Sequence, residues 1–229
     1  MASRALFSVI SASAPARAQE FPGDDDWIQA RCGALGEPLA DAAGDAGADG
    51  ASDVVGDATA AAGFLARAGE RAAFRVRLDA NPAPGGMLEP LVWAVAIERN
   101  EDPSTYELLA LVDGASGEVR LLSNAPATPD DRSDIAETSL GGPWPASSHA
   151  RVVTAESASG GDADWFLDFL VPLDALIEGG VAPTTTVRVW FGASDGDANL
   201  GADVACGDAT STLAAAASRP TTVDPAGDP

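Results

Sequence analysis

A period of two runs through the middle of this chain, and it restricts the fold more than any other feature. In residues 72–79 (AAFRVRLD), Phe74, Val76 and Leu78 face one way while Arg75, Arg77 and Asp79 face the other. In 91–98 (LVWAVAIE), Leu91, Trp93, Val95 and Ile97 share one face and small residues fill the other. Alternation of this kind places successive side chains on opposite faces of a β-strand. Residues 106–112 (YELLALV) are apolar on both faces, as a central strand is. The run Asp113-Gly114-Ala115-Ser116-Gly117 then predicts a turn, so that 106–123 forms a hairpin. Segments 150–155, 165–171 and 186–192 extend the pattern, with weaker strands at 64–66 and 203–206. One short helix is expected over Pro172–Glu178, started by proline and stopped by Gly179-Gly180. Many short strands joined by Gly, Pro and Asp predict an all-β chain, an antiparallel β-sandwich or jelly roll with long acidic loops.

Length and charge narrow the function classes. The 229 residues, 46% of them hydrophobic, suffice for a core that needs neither metal nor disulfide merely to fold. Thirteen basic residues against 35 acidic ones leave a net charge of −22. A field of that sign repels nucleic-acid phosphates and anionic lipid. No apolar run is long enough for a membrane-spanning helix, so membrane insertion is not expected. One His and two Cys restrict zinc sites and histidine-dependent catalysis. Every basic residue is Arg. A GC-rich genome explains that, and so does adaptation to high salt or to a Ca²⁺-rich exterior.

The ends differ from the middle. Residues 1–18 read as a secretory signal peptide: Arg4, a short apolar stretch over 5–14, then Ala16-Arg17-Ala18 at cleavage-type positions. The expected compartment is therefore extracellular, periplasmic or cell-surface. Residues 19–60 read as an acidic arm rich in Gly, Ala and Asp. In it Asp41, Asp45, Asp49, Asp53 and Asp57 recur every four residues, a spacing that would stack like charges on a helix, so a loop is expected. The β-sandwich domain spans 61–213, and 214–229 read as a disordered tail or linker. In an exported chain, Cys32 and Cys206 can form one disulfide between the terminal segments, contributing roughly 4–5 kcal/mol by loop closure. Two buried thiols are the alternative.

Four stretches carry a resemblance: Asp53-Val-Val-Gly-Asp57, FLARAGERAAFRVRLDANP at 64–82, DPSTYELLALVDG at 102–114 and DWFLDFLVPLDAL at 164–176. Together they resemble bacterial exported β-sandwich domains of the CBM9-like and DOMON type. The resemblance implies the sandwich fold and, at the level of the group, binding of sugars or haem. Where such domains often carry an Asp-rich turn, this chain has Glu98-Arg99-Asn100-Glu101.

Three kinds of site follow. Ca²⁺ takes six to eight oxygens. Candidate ligands are Asp53 with Asp57, Asp79 with Asn81, Asp162 with Asp164, the run Asp24-Asp25-Asp26, and Asp195 with Asp197. The competing role of such residues is to cap turns. A glycan needs an aromatic platform beside polar groups. In regular alternation Arg188 and Trp190 share an outer face, and Arg75, Arg77 and Asp168 also project outward, so the five could line one groove. Cross-strand ion pairs and a covered Trp190 are the alternative. Trp27, Trp93 and Trp165 suit the core or its edges, and Trp144 a loop. Met87 and His149 are the axial pair that haem of the DOMON kind would want. Catalysis finds no nucleophile elbow, P-loop or dinucleotide fingerprint, although 35 acidic residues leave a carboxylate-dependent glycoside hydrolase open. The expected function is a non-catalytic exported binding module for glycan with Ca²⁺ as stabiliser. The alternative is a structural or adhesion protein that contacts a surface protein.

Overall fold

The computed structural model describes residues 20–33, 35–46, 50–126, 128–207 and 211–224. The leader-like residues 1–18 lie outside them. The strands, in chain order, are β1 (Ile28–Gln29), β2 (Arg31–Cys32), β3 (Glu37–Pro38), β4 (Gly63–Arg67), β5 (Arg71–Leu78), β6 (Val92–Glu98), β7 (Leu108–Asp113), β8 (Glu118–Ser123), β9 (Thr138–Pro145), β10 (Ala150–Thr154), β11 (Trp165–Pro172), β12 (Thr186–Ser194), β13 (Asp203–Val204) and β14 (Thr221–Thr222). Among the described residues three short α-helices accompany them, α1 (Ala146–His149), α2 (Leu173–Glu178) and α3 (Leu213–Ala216), together with 3-10 turns at Asp24–Asp26 and Pro84–Gly86.

The alternating segments pair into two antiparallel sheets. One runs β1-β4-β5-β11-β10; the other runs β13-β12-β6-β7-β8-β9, with β14 added against β12. The expected hairpin forms with Leu108 opposite Ser123 and Asp113 opposite Glu118. Its turn is closed by the Ser116 N–H donating to Asp113 Oδ1 at 3.1 Å. The inner faces meet in one core. Leu65, Phe74, Val76, Leu78, Leu167 and Phe169 from the first sheet pack with Trp93, Val95, Ile97, Val112, Leu121 and Phe191 from the second. Two sheets sharing a single apolar interior make the β-sandwich expected from the sequence.

The outer face of the larger sheet is also covered. Val92, Ala94, Leu109, Leu111 and Trp190 pack under Tyr106, Ala136, Leu200 and α3. Four departures from the sequence reading concern placement. Strand β9 arises from TSLGGPWP, where Gly and Pro mask the alternation; Pro is admitted because β9 is an edge strand. The arm contributes to the core, with Leu39, Val54 and Val55 fully buried, and Trp93 Nε1 donates to Ala51 O at 2.7 Å. Up to Asp224 the polar end is a working part of the fold: β14 pairs with β12 and Val223 is buried in the core. Finally, α1 and α3 join the single helix expected, which forms as α2.

Candidate metal centre

The residues expected to line one outer groove occupy opposite faces of the sandwich. Arg75, Arg77 and Asp168 project from the outer face of the smaller sheet, where Arg75 stands opposite Asp168 across β5 and β11. Asp168 is wholly buried. It accepts from Arg75 Nε at 2.6 Å, Arg75 Nη2 at 2.9 Å and Arg151 Nε at 2.7 Å. The Arg75 guanidinium lies 4.4 Å from the ring centres of both Trp27 and Phe166. Arg77 stacks on Phe166 at 4.4 Å, donates to Ala61 O at 2.9 Å and meets Ser157 Oγ. The three arginines and their rings thus form a ladder whose donors the fold itself takes up. Arg188 and Trp190 belong to the other sheet. Arg188 Nη1 donates to the buried Glu98 at 3.0 Å, and Trp190 is fully buried with Nε1 donating to Leu213 O at 2.8 Å. The five residues share no groove, because β5 and β11 lie in one sheet and β12 in the other, and α3 roofs the tryptophan.

The expected calcium ligands are mostly engaged in local structure. Asp57 Oδ1 accepts from Thr59 N, Thr59 Oγ1 and Ala60 N. The Thr59 hydroxyl is the largest cause holding this carboxyl below its usual range. Asn81 Oδ1 accepts from Ala83 N at 2.8 Å. Asp164 is buried and accepts from Ser157 Oγ, Ser159 N and Ser159 Oγ, while Asp162 is exposed. Burial raises the Asp79 carboxyl, and the charges of Asp53, Asp164 and Asp162 add to the rise. Asp53 accepts from Gly44 N at 2.6 Å and Ala46 N at 3.2 Å, so it shapes the loop next to it. Met87 is 78% exposed on a Pro-Gly turn, whereas His149 is buried and stacks on Trp144 at 5.9 Å.

What does converge is a set that local spacing could not assemble. Carboxylate oxygens of Asp41, Asp45 and Asp203 lie within 4.8 Å of one another. Each is placed by a different device. Asp41 sits in an isolated bridge with Gly56: its N–H donates to Gly56 O at 2.9 Å, and the Gly56 N–H donates back at 3.1 Å. Asp45 follows Gly44, whose φ of 88° is a left-handed conformation suited to glycine. Asp203 opens β13, and its Oδ2 accepts from Val54 N at 2.6 Å.

The electrostatics of this cluster are unfavourable as they stand. Asp41 is 8% exposed and Asp203 5%. Asp41 Oδ2 is buried with no hydrogen-bond partner. Burial pushes the Asp41 carboxyl far above the carboxylate range, and the charges of Asp203, Asp45 and Asp53 push it further. Burial likewise raises Asp203, against the Val54 hydrogen bond that favours its ionised form. A divalent cation would reverse these penalties, since it supplies the positive charge that three crowded carboxylates lack. Two oxygens on opposite sides of one Ca²⁺, each at about 2.4 Å, stand at most about 4.8 Å apart, so oxygens within that distance of one another are close enough to share a single ion. An all-oxygen donor set suits Ca²⁺ or Mg²⁺ rather than a softer metal. A shallow depression of about 450 Å³, lined by Ala40, Asp41, Gly56, Asp57 and Gly207, opens beside Asp41 and gives a path from solvent.

Asp41 and Asp45 were visible in the sequence as part of the four-residue Asp spacing. Asp203 carried no signal of its own, except that it stands close before Cys206. That cysteine is bonded to Cys32, as one of the two readings of the pair expected. No protein-family model, curated protein or solved structure matches the chain.

Proposed function

We propose that this chain is an exported, non-catalytic β-sandwich module that works through surface contacts, braced at one end by a Ca²⁺ ion held by Asp41, Asp45 and Asp203. The observation that carries the reading is the unpartnered, buried Asp41 Oδ2 within a cluster of three carboxylates. A Cys32–Cys206 bond supports an oxidising compartment, where such bonds persist and millimolar Ca²⁺ is common. Ca²⁺ is favoured over Mg²⁺ because a glycine-bearing loop and carboxylates that can bind through one or both oxygens suit its irregular coordination. The glycan part of the expectation loses its platform with the burial of Trp190. A structural or adhesive role, with the ion fastening the acidic arm to the sandwich, is the better supported form of the module.

Thermal melting in Ca²⁺ against EDTA tests this. For a Kd of about 10⁻⁴ M, typical of extracellular modules, 10 mM Ca²⁺ stabilises by about 2.7 kcal/mol. That raises the Tm of a domain this size by about 5–11 °C. Asp41→Asn removes the shift. In EDTA the same variant is at least as stable as wild type, because an amide is buried there without the cost of desolvating or protonating a carboxyl beside Asp203 and Asp45. An unchanged wild-type midpoint refutes the site.

A further inference from the structure

Two segments far apart in the chain carry the three carboxylates, and one covalent bond ties those segments together. Cys32 and Cys206 are joined across 174 residues. Asp203 lies just before Cys206, within the same short stretch that contains β13. The Cys206 N–H donates to Ala40 O at 2.8 Å, directly before Asp41. Cys206 itself adopts a φ of 65°, which a non-glycine residue holds only where its surroundings impose it. On the sandwich side Asp203 is fixed by the pairing of β13 with β12, by the Ala202 and Ala205 N–H groups donating to Ala193 O at 3.0 Å and Phe191 O at 2.9 Å, and by the burial of Val204 and Ala205; toward the arm its ties are the Val54 N–H bond, the Cys206 N–H bond to Ala40 O and the disulfide.

We infer that the disulfide and the cation are thermodynamically linked, the oxidised Cys32–Cys206 bond holding Asp203 against Asp41 and Asp45 and its reduction releasing bound Ca²⁺. This rests on the reading of the three aspartates as a Ca²⁺ site. A dithiol reductant supplies the redox step. Its thiolate attacks one sulfur to form a mixed disulfide, and its second thiol closes on the first. The reductant leaves as a cyclic disulfide, and two electrons and two protons are left on Cys32 and Cys206 as thiols. Freed from that bond, the arm that carries Asp41 and Asp45 must be docked again on the Asp203 stretch before the three can ligate together, so part of the binding free energy goes into pre-organisation. Linkage is reciprocal. If reduction weakens Ca²⁺ binding tenfold, saturating Ca²⁺ lowers the reduction potential of the disulfide by about 30 mV.

Calorimetric titration of the full chain with Ca²⁺, oxidised and as the Cys32→Ser/Cys206→Ser variant, reads the linkage. The expected result is an affinity at least about tenfold weaker in the variant, with the same β-type far-ultraviolet dichroism. Equal affinities overturn the linkage and leave the site standing. No Ca²⁺ uptake by oxidised protein overturns the site, and the linkage with it. Should the variant fail to fold, the rate at which dithiothreitol reduces the native oxidised chain provides the second measurement. Ca²⁺ slows that rate in wild type and has no effect in Asp203→Asn. A wild-type rate indifferent to Ca²⁺ overturns the inference.

Discussion

Replacing Asp168 by alanine separates a surface binding role from a structural one. Asp168 is wholly buried and is the shared acceptor for Arg75 and Arg151. The two arginines differ in what they can do once it is gone. The Arg151 side chain is 33% exposed and can turn to water, whereas that of Arg75 is 5% exposed and clamped between Trp27 and Phe166. The change therefore leaves the buried Arg75 guanidinium with only the exposed Asp24 carboxylate, 3.6 Å away, as a charged partner, a defect that costs about 3–5 kcal/mol. For a domain of this size the Tm falls by about 6–20 °C. Arg151→Ala, which removes the half-exposed partner only, costs about 1 kcal/mol or less. The double change Arg75→Met/Asp168→Leu recovers most of the loss, because no buried charge is left without a partner and the half-exposed Arg151 turns to water. Urea unfolding followed by tryptophan fluorescence and by far-ultraviolet dichroism measures all four proteins, and coincident transitions license the two-state treatment. An Asp168→Ala protein within 1 kcal/mol of wild type would refute the claim that this ladder holds the sheet.

Trp190→Ala is expected to destabilise by about 3–5 kcal/mol, as truncation of a buried large aromatic does; a midpoint unchanged in urea would restore Trp190 as a surface platform. His149 gives a pH dependence. Burial is the largest cause holding its pKa below the usual 6.5, with the charge of Arg71 acting the same way. The unfolded chain thus takes up a proton near pH 6.5 that the native chain refuses, so this contribution is whole above that pH and declines as pH falls below it. Urea midpoints of wild type and His149→Gln between pH 7.5 and 5.0 should converge on the acid side, and parallel curves would count against it.

Local pattern and distant convergence were legible to different degrees. The strands around Phe74, Trp93, Leu109, Phe169 and Phe191 could be read directly, because alternation with a period of two is a property of neighbouring residues and the sandwich follows from burying it. The turn residues were legible as well: Asp57, Asn81 and Asp113 cap the backbone beside them, a short-range effect. Strand β9 was hidden because its glycines and prolines carry no alternation, and its pairing depends on β8 being present.

Chain pattern alone determined that Trp190 and Arg188 share an outer face, and that Arg75, Arg77 and Asp168 do too. Only the tertiary structure decided that these faces look in opposite directions, and that one lies under α3 while the other is filled by its own ion pairs. The same holds for the proposed cation site. Asp41 and Asp45 lie in the arm and Asp203 in β13, and a disulfide, one bridge to Gly56 and a hydrogen bond from Val54 bring them together. Side-chain periodicity follows from the geometry of adjacent peptide units, whereas ligand convergence depends on how separate segments are docked, which neighbouring residues do not encode.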